Sequence, residues 1–139
     1  MDAQSLVMVI EDNPADVRLI QEALRGMEPT ADLVSFGEAD SALAYLRNAS
    51  NRVPNLIFLD FNLPKTGSRE MLGLLKEDPK LRLIPVAVLT TSDAERDIRD
   101  AYALHANCYL RKPVDLDGFF GIIRGAASFW LEVARTVAP

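Results

Sequence analysis

The sequence predicts an α/β protein whose parallel β-sheet is covered by helices on both faces. Short apolar runs recur between amphipathic stretches, and this alternation is typical of parallel strands joined by helices. The 139 residues match the size of one domain. Apolar residues make up 49% and charged residues 25% of the chain, a globular composition. We therefore expect one domain built from five strand-then-helix units.

Five apolar runs predict the strands. They cover residues 6–10, 31–36, 55–59, 84–89 and 107–110. The second run contains Asp32 and Ser35, and polar side chains at these positions favour an edge strand. We expect the other four strands to be buried on both faces because their runs are almost continuously apolar.

Capping and stop signals predict the helices between these strands. Asn13 is a suitable N-cap and Pro14 suits a first helical position, so the first helix begins there. Gly26 and Pro29 end it. The other helices are expected at residues 38–47, 68–77, 94–105 and 115–135.

The last predicted helix has more apolar side chains than one stripe facing a sheet requires. They are Phe119, Phe120, Ile122, Ile123, Phe129, Trp130 and Val133. A spare apolar face usually contacts another protein. The sequence therefore favours a homodimer contact or a kinase-docking surface here over packing within the core alone.

Charge and hydropathy argue against several classes of protein. The net charge is −5 without a basic cluster, which argues against nucleic-acid binding. The apolar runs are too short to span a bilayer, and the first residues lack the pattern of a secretory signal. Cys108 is the only cysteine, so no internal disulfide can form. We expect a cytoplasmic protein.

Acidic, hydroxyl and basic side chains follow four of the predicted strands. In chain order they are Glu11 and Asp12, Asp60, Thr90, and Lys112. Ligands of open α/β sheets bind outside the carboxyl ends of the strands, so we expect these side chains to meet in one site. A lone aspartate after a strand is more often a turn residue or a helix cap. The combination of all five residues favours a functional site.

Three crowded carboxylates repel one another unless a cation offsets their charge. All the candidate ligand atoms are oxygens, which favours Mg²⁺ or Mn²⁺ over zinc. Such an ion keeps positions open for a phosphoryl oxygen, and Lys112 supplies another positive charge. The set therefore predicts metal-dependent phosphoryl transfer in which a carboxylate is the nucleophile.

These strand-end residues resemble the signature of bacterial response-regulator receiver domains, over essentially the whole chain. The resemblance implies a doubly wound five-stranded sheet in the order 2-1-3-4-5 and a single domain, residues 1–139, without an attached output domain. It also implies that a sensor histidine kinase supplies the phosphoryl group, that output follows from changed protein contacts, and that the protein is no enzyme beyond its own phosphorylation and autodephosphorylation.

The same resemblance implies a role for each residue at the metal and phosphoryl positions. Asp60 accepts the phosphoryl group. Asp12, Asp60 and the backbone carbonyl of Asn62 coordinate Mg²⁺ or Mn²⁺, and Glu11 acts through a metal-bound water. Lys112 contacts a phosphoryl oxygen.

The resemblance further implies a switch and two tuning positions. Thr90 binds the phosphoryl group after modification, and Tyr109 turns inward behind it. Asn62 and Ser92 occupy positions that tune hydrolysis. Three of these residues have a simpler structural reading: Thr90 as a β-branched strand residue, Ser92 as a helix cap and Tyr109 as a packing aromatic.

A narrower resemblance is to the stand-alone response regulators of bacterial and cyanobacterial phytochromes. Its segments are DFNLP at 60–64, IPV at 84–86, LTTS at 89–92, HANCYLRKP at 105–113 and SFWLEV at 128–133. It implies a phytochrome kinase as partner. The turn at residues 66–68 departs from the family pattern, so its shape is not implied.

Two alternatives belong to other classes. A phosphatase of the haloacid dehalogenase type also uses an aspartate after a strand, but it needs a second aspartate two residues later, where this chain has Asn62. A receiver-like module that binds partners constitutively would need no intact acidic cluster.

Overall fold

The computed structural model describes residues 4–28, 30–63 and 67–139 and contains a five-stranded parallel sheet. The strand order is β2-β1-β3-β4-β5, which confirms the predicted topology. The strands are β1 Leu6–Ile10, β2 Asp32–Phe36, β3 Leu56–Leu59, β4 Val86–Thr90 and β5 Cys108–Arg111.

Five α-helices connect and follow the strands. They are α1 Pro14–Arg25, α2 Ala39–Arg47, α3 Ser68–Glu77, α4 Glu95–Ala103 and α5 Leu116–Ser128. Asn13 caps α1 as predicted, because its side chain accepts a hydrogen bond from the backbone of Ala15 at 2.9 Å. A 3₁₀ turn, Leu81–Leu83, precedes β4. In the part of the chain described, no helix is long and apolar enough to cross a membrane.

The sheet separates two hydrophobic layers, as the alternating pattern predicts. On one face, α2, α3 and α4 pack through residues such as Leu43, Leu72 and Ala101. On the other face, α1 and α5 pack through residues such as Ile20 and Ile123. Successive residues of β1, β3 and β4 point into opposite layers, and all of them are buried.

The expectation that β5 is buried on both faces is wrong. Its first three residues are half-buried and Arg111 is exposed, because β5 is the outermost strand on its side of the sheet. The prediction for β2 as an edge strand is confirmed.

Two helices end earlier than predicted. Helix α4 stops at Ala103 because His105 adopts φ 71°, and the backbone amides of His105 and Ala106 bond back to Tyr102 and Ala101 in a Schellman motif. Helix α5 passes at Phe129–Val133 into a single π-helical turn, which is closed by a 2.7 Å bond from the Ala134 amide to the Phe129 carbonyl.

The turn that departs from the family pattern needs its glycine. Gly67 precedes α3 with φ 133°, a left-handed conformation that favours glycine. A Cβ atom at this position would also approach the Cβ of Ala39 to 3.3 Å. Thr66 in this turn, Pro29 after α1 and Pro64 of the DFNLP segment lie outside the described residues.

Two asparagines add hydrogen bonds at the amino edge of the sheet, where the strands begin. The side-chain oxygen of Asn55, before β3, accepts from the backbone N–H of Leu6, while the Asn55 N–H donates to the Leu6 carbonyl. Asn107, before β5, forms the matching pair of bonds with Val86. Each amide therefore extends a strand ladder by one hydrogen bond that the backbone alone would not make.

We predict that Asn107→Ala lowers the free energy of unfolding by about 1–3 kcal/mol, because the Val86 N–H loses its acceptor. Lys76, whose ammonium also bonds to Asn107 at 2.9 Å, loses a partner as well. Urea denaturation measures the change. Asn48→Ala is the control, since the side chain of Asn48 accepts from an exposed loop amide, and its change should stay within about 0.5 kcal/mol. Equal losses would contradict the assignment.

Candidate functional site

Backbone hydrogen bonds hold the residues that follow the strands in place. The N–H of Glu11 donates to Phe36, that of Asp60 to Ile10, and that of Lys112 to Thr90, at 2.9, 3.0 and 2.7 Å. The parallel ladders thus continue one residue past each strand. The side chains of these residues meet at the carboxyl edge of the sheet, as the strand-end rule predicts.

Three carboxylates form a cluster suited to a metal ion. Glu11, Asp12 and Asp60 each offer an oxygen, and these oxygens lie within 4.8 Å of one another. Glu11 and Asp60 are buried and Asp12 is exposed, so the cluster is open to solvent on one side. An all-oxygen donor set that includes three carboxylates fits a hard divalent cation.

The ammonium of Lys112 lies among carboxylates and is almost completely buried, with 8% of its side chain exposed. It bonds to Glu11 and, at 2.9 Å, to Asp16. The distance from its Nζ to Asp60 Oδ2 is 3.7 Å. The sequence predicted Lys112 next to Asp60, but Asp16, in the first turn of α1, was not among the predicted site residues.

Burial and pairing shift the pKa values of both partners. Burial of Glu11 raises its pKa from the usual 4.5 to about 7, and the hydrogen bond from Lys112 opposes this only in part. Burial alone would lower the pKa of Lys112. Its hydrogen bonds to Asp16 and Glu11 outweigh that effect, so the pKa of Lys112 is raised. The ammonium therefore keeps its charge within the site.

Asn62 joins Asp60 to Thr90. Its backbone N–H donates to Asp60 Oδ1 at 2.9 Å, and its side-chain amide donates to the hydroxyl of Thr90 at 2.8 Å. Thr90 is completely buried. Ser68, which the sequence marked only as the start of α3, donates its hydroxyl to the Asp60 carbonyl at 2.6 Å. These bonds fix both the backbone and one carboxylate oxygen of Asp60.

Tyr109 and Ser92 are joined to each other. The Tyr109 hydroxyl donates to the Ser92 carbonyl at 2.8 Å, and the Ser92 hydroxyl donates to Asp97 at 2.6 Å. The ring of Tyr109 meets the ring of Phe61 edge-on, with centroids 6.4 Å apart. Tyr109 is thus half-buried beside the loop after β4.

Arg69 connects α3 to α4 behind this loop. Its guanidinium bonds to Asp97 at 2.5 Å and to Asp100 at 2.8 Å, and it lies 4.7 Å from the centre of the Phe61 ring. Asp97 therefore receives bonds from both Ser92 and Arg69. Spacing along the chain does not indicate this network, because Arg69 and its partners are about 30 residues apart on different helices.

Comparisons with known proteins cover nearly the whole chain. A family described as "Response regulator receiver domain" matches residues 7–124. The response regulator Rcp1 of Synechocystis sp. is 42% identical over 137 residues, which are 96% of this chain and 93% of that protein.

Two solved structures are similar in both sequence and fold. The phosphorylated cyanobacterial phytochrome response regulator RcpA has a TM-score of 0.90 and 44% identity, over 98% of this chain and 100% of that chain. The Mn²⁺-bound form of Rcp1 has a TM-score of 0.89 and 40% identity, over 96% of this chain and 99% of that chain.

We predict that Mg²⁺ binds about tenfold more tightly at about pH 8 than at about pH 6, because Glu11, with its pKa raised to about 7, must release its proton. Titration calorimetry in buffers of different ionisation enthalpy measures both the affinity and the proton release. Glu11→Gln should remove the pH dependence. Equal affinities at the two pH values in the unmodified protein would contradict the prediction.

Proposed function

The chain belongs to the response regulator receiver domain family, and from this premise we propose that Asp60 is its phosphoryl acceptor. Both resemblances found in the sequence, to receivers and to phytochrome response regulators, are confirmed. The observation that carries the proposal is the position of Asp60, buried at the end of a central strand between the acidic cluster and the ammonium of Lys112. Members of this family are regulators rather than classical enzymes.

In the proposed reaction, a carboxylate oxygen of Asp60 attacks the phosphorus of a phosphohistidine. The P–N bond breaks, and its electron pair stays on the imidazole nitrogen of the kinase. Oδ1 of Asp60 is oriented by the Asn62 N–H, and Oδ2 faces Lys112. We therefore assign the attack to Oδ2. The ammonium of Lys112 then lies within reach of a developing phosphoryl oxygen and stabilises its charge.

Glu11, Asp12 and Asp60 are proposed to hold the divalent ion, with the backbone carbonyl of Asn62 as a further ligand and Glu11 acting through water. Metal binding is a property of the family, and the Mn²⁺-bound structure of Rcp1 supports it. We propose Mg²⁺ as the ion in the cell. When bound, it neutralises charge on the phosphoryl oxygens.

Thr90 and Tyr109 are proposed as the switch. The Thr90 hydroxyl accepts a hydrogen bond from Asn62 and can donate its own hydrogen to a phosphoryl oxygen on Asp60. Movement of Thr90 would alter the loop after β4, where the Ser92 carbonyl holds Tyr109. Asn62 and Ser92 thereby tune the lifetime of the phosphorylated state, since one binds Thr90 and the other forms part of this loop.

The proposed phosphodonor is a sensor histidine kinase of the phytochrome type, by similarity to RcpA. We propose that the protein works in the cytoplasm, where ATP-dependent kinases act, as a single receiver domain that signals through changed protein contacts. The haloacid dehalogenase alternative is set aside by the family match. The alternative of constitutive binding requires partner binding that does not depend on phosphorylation.

A homodimer through the end of α5 is also proposed. Phe119 and Ile123 face the core, whereas Phe129 and Val133 keep 48% and 66% of their surface exposed. The π-helical turn presents them beside Trp130, whose ring contacts that of Phe129 edge-on. Together with Trp130 these side chains form an apolar patch, which a second copy would cover.

We predict that acetyl phosphate with Mg²⁺ adds one phosphoryl group to the unmodified protein and none to Asp60→Asn, which keeps the shape of the side chain but removes the nucleophile. Intact-mass spectrometry measures the addition. Asp32→Asn, on the exposed edge strand, is the control and should be phosphorylated normally. Equal labelling of Asp60→Asn would falsify the proposal, and partner binding that ignores phosphorylation would favour the constitutive module.

We predict that Phe129→Asp combined with Val133→Asp raises the dimer dissociation constant at least about tenfold, because two charges would be placed in an apolar contact. Sedimentation velocity across a concentration series measures it. Val53→Asp, which alters an exposed apolar residue before β3, should leave association unchanged. A protein that remains monomeric throughout the series, or a double variant that dimerises normally, would refute the dimer.

A further inference from the structure

Two carboxylates bind the ammonium of Lys112, and only one of them belongs to the acidic cluster. Glu11 is a member of that cluster. Asp16 is not, yet its Oδ2 accepts a 2.9 Å hydrogen bond from Lys112. Within the described residues, the ion pair of Asp16 is with Lys112 alone. The two carboxylates are therefore not equivalent.

Glu11 has two competing roles. It pairs with Lys112 and also supplies an oxygen to the cluster suited to a divalent cation. A divalent cation bound beside Glu11 would repel the ammonium, so metal binding would weaken the net hold of this part of the site on Lys112. Asp16 has no such second role, so its hold on Lys112 does not depend on the state of the cluster.

Asp16 is also well anchored. It lies in the first turn of α1, where the helix dipole favours a carboxylate. The preceding Asn13 caps the same helix and Pro14 begins it. Because only 23% of the Asp16 side chain is exposed, its bond to the buried ammonium is poorly screened by water. A rigid element therefore supports the contact.

We propose that Asp16 is a positioning residue that keeps the ammonium of Lys112 beside Asp60 while Glu11 serves the metal cluster. An ammonium has three hydrogens. Glu11 and Asp16 each accept one, and the third is left for an oxygen on the Asp60 side, where Nζ lies 3.7 Å from Oδ2. The inference rests on the proposed function, since it concerns how Lys112 meets the incoming phosphoryl group.

The test compares Asp16→Asn and Asp16→Ser with the unmodified protein. Asparagine removes the charge but keeps one oxygen, and serine shortens the side chain as well, so a common effect points to the carboxylate. We expect both to be phosphorylated by acetyl phosphate about tenfold more slowly at saturating Mg²⁺, because a displaced ammonium stabilises the transition state less. Calorimetry should find an unchanged affinity for Mg²⁺.

Two further measurements test whether the effect is specific to this position and whether it comes from the contact with Lys112. Asp40→Asn removes the first-turn acid of α2, a matched change in helix charge away from the site, and should leave the phosphorylation rate unchanged. Urea denaturation of Asp16→Asn, Lys112→Ala and their combination should give non-additive losses, as expected of two residues in direct contact.

The outcomes are distinguishable. If the unmodified protein is not phosphorylated, the proposed function fails and the inference fails with it. If that protein is phosphorylated and both Asp16 variants react at the same rate, only the inference is overturned. A loss of Mg²⁺ affinity in proportion to the rate would also overturn it, because Asp16 would then act as a metal ligand.

Discussion

Glu11 and Asp60 are buried side by side at the carboxyl edge of the sheet, and Lys112 is the cation that makes this arrangement tolerable. Two carboxylates out of water repel each other and lose hydration, and removing the paired cation from such a site is strongly destabilising. The lysine follows β5 and the glutamate follows β1, so their bond crosses the two strands between them. Asp16, Asp12 and Asp60 are arranged around this pair.

The apolar runs between amphipathic stretches predicted the fold, because the central strands are buried on both faces and therefore contain almost no polar side chains. The same criterion misjudged β5. An apolar sequence is compatible with burial, but it does not show whether the strand lies inside the sheet or at its edge. That position depends on the topology. Helix ends were missed for a related reason: His105 adopts a left-handed backbone that glycine usually supplies, so its type gave no stop signal.

Asp60 and Lys112 could be found from the sequence because residues that directly follow parallel strands must meet at one edge. Asp16 and Arg69 could not. Each contributes from a helix, and its partner is 96 residues away in one case and about 30 in the other. Spacing along a helix indicates which side chains share a face, but it does not indicate which charge a neighbouring element will present. Asn62 was recognised by position, while its bond to Thr90 depends on the fold of the loop.

The asparagines at the amino edge have a consequence for repeated signalling. Asn55 and Asn107 bind the strands through amides, which neither gain nor lose protons at physiological pH. A phosphoryl group would change the charge only at the opposite end of the strands. The amide hydrogen bonds at the amino edge would therefore keep the same charge state whether or not the opposite edge is phosphorylated.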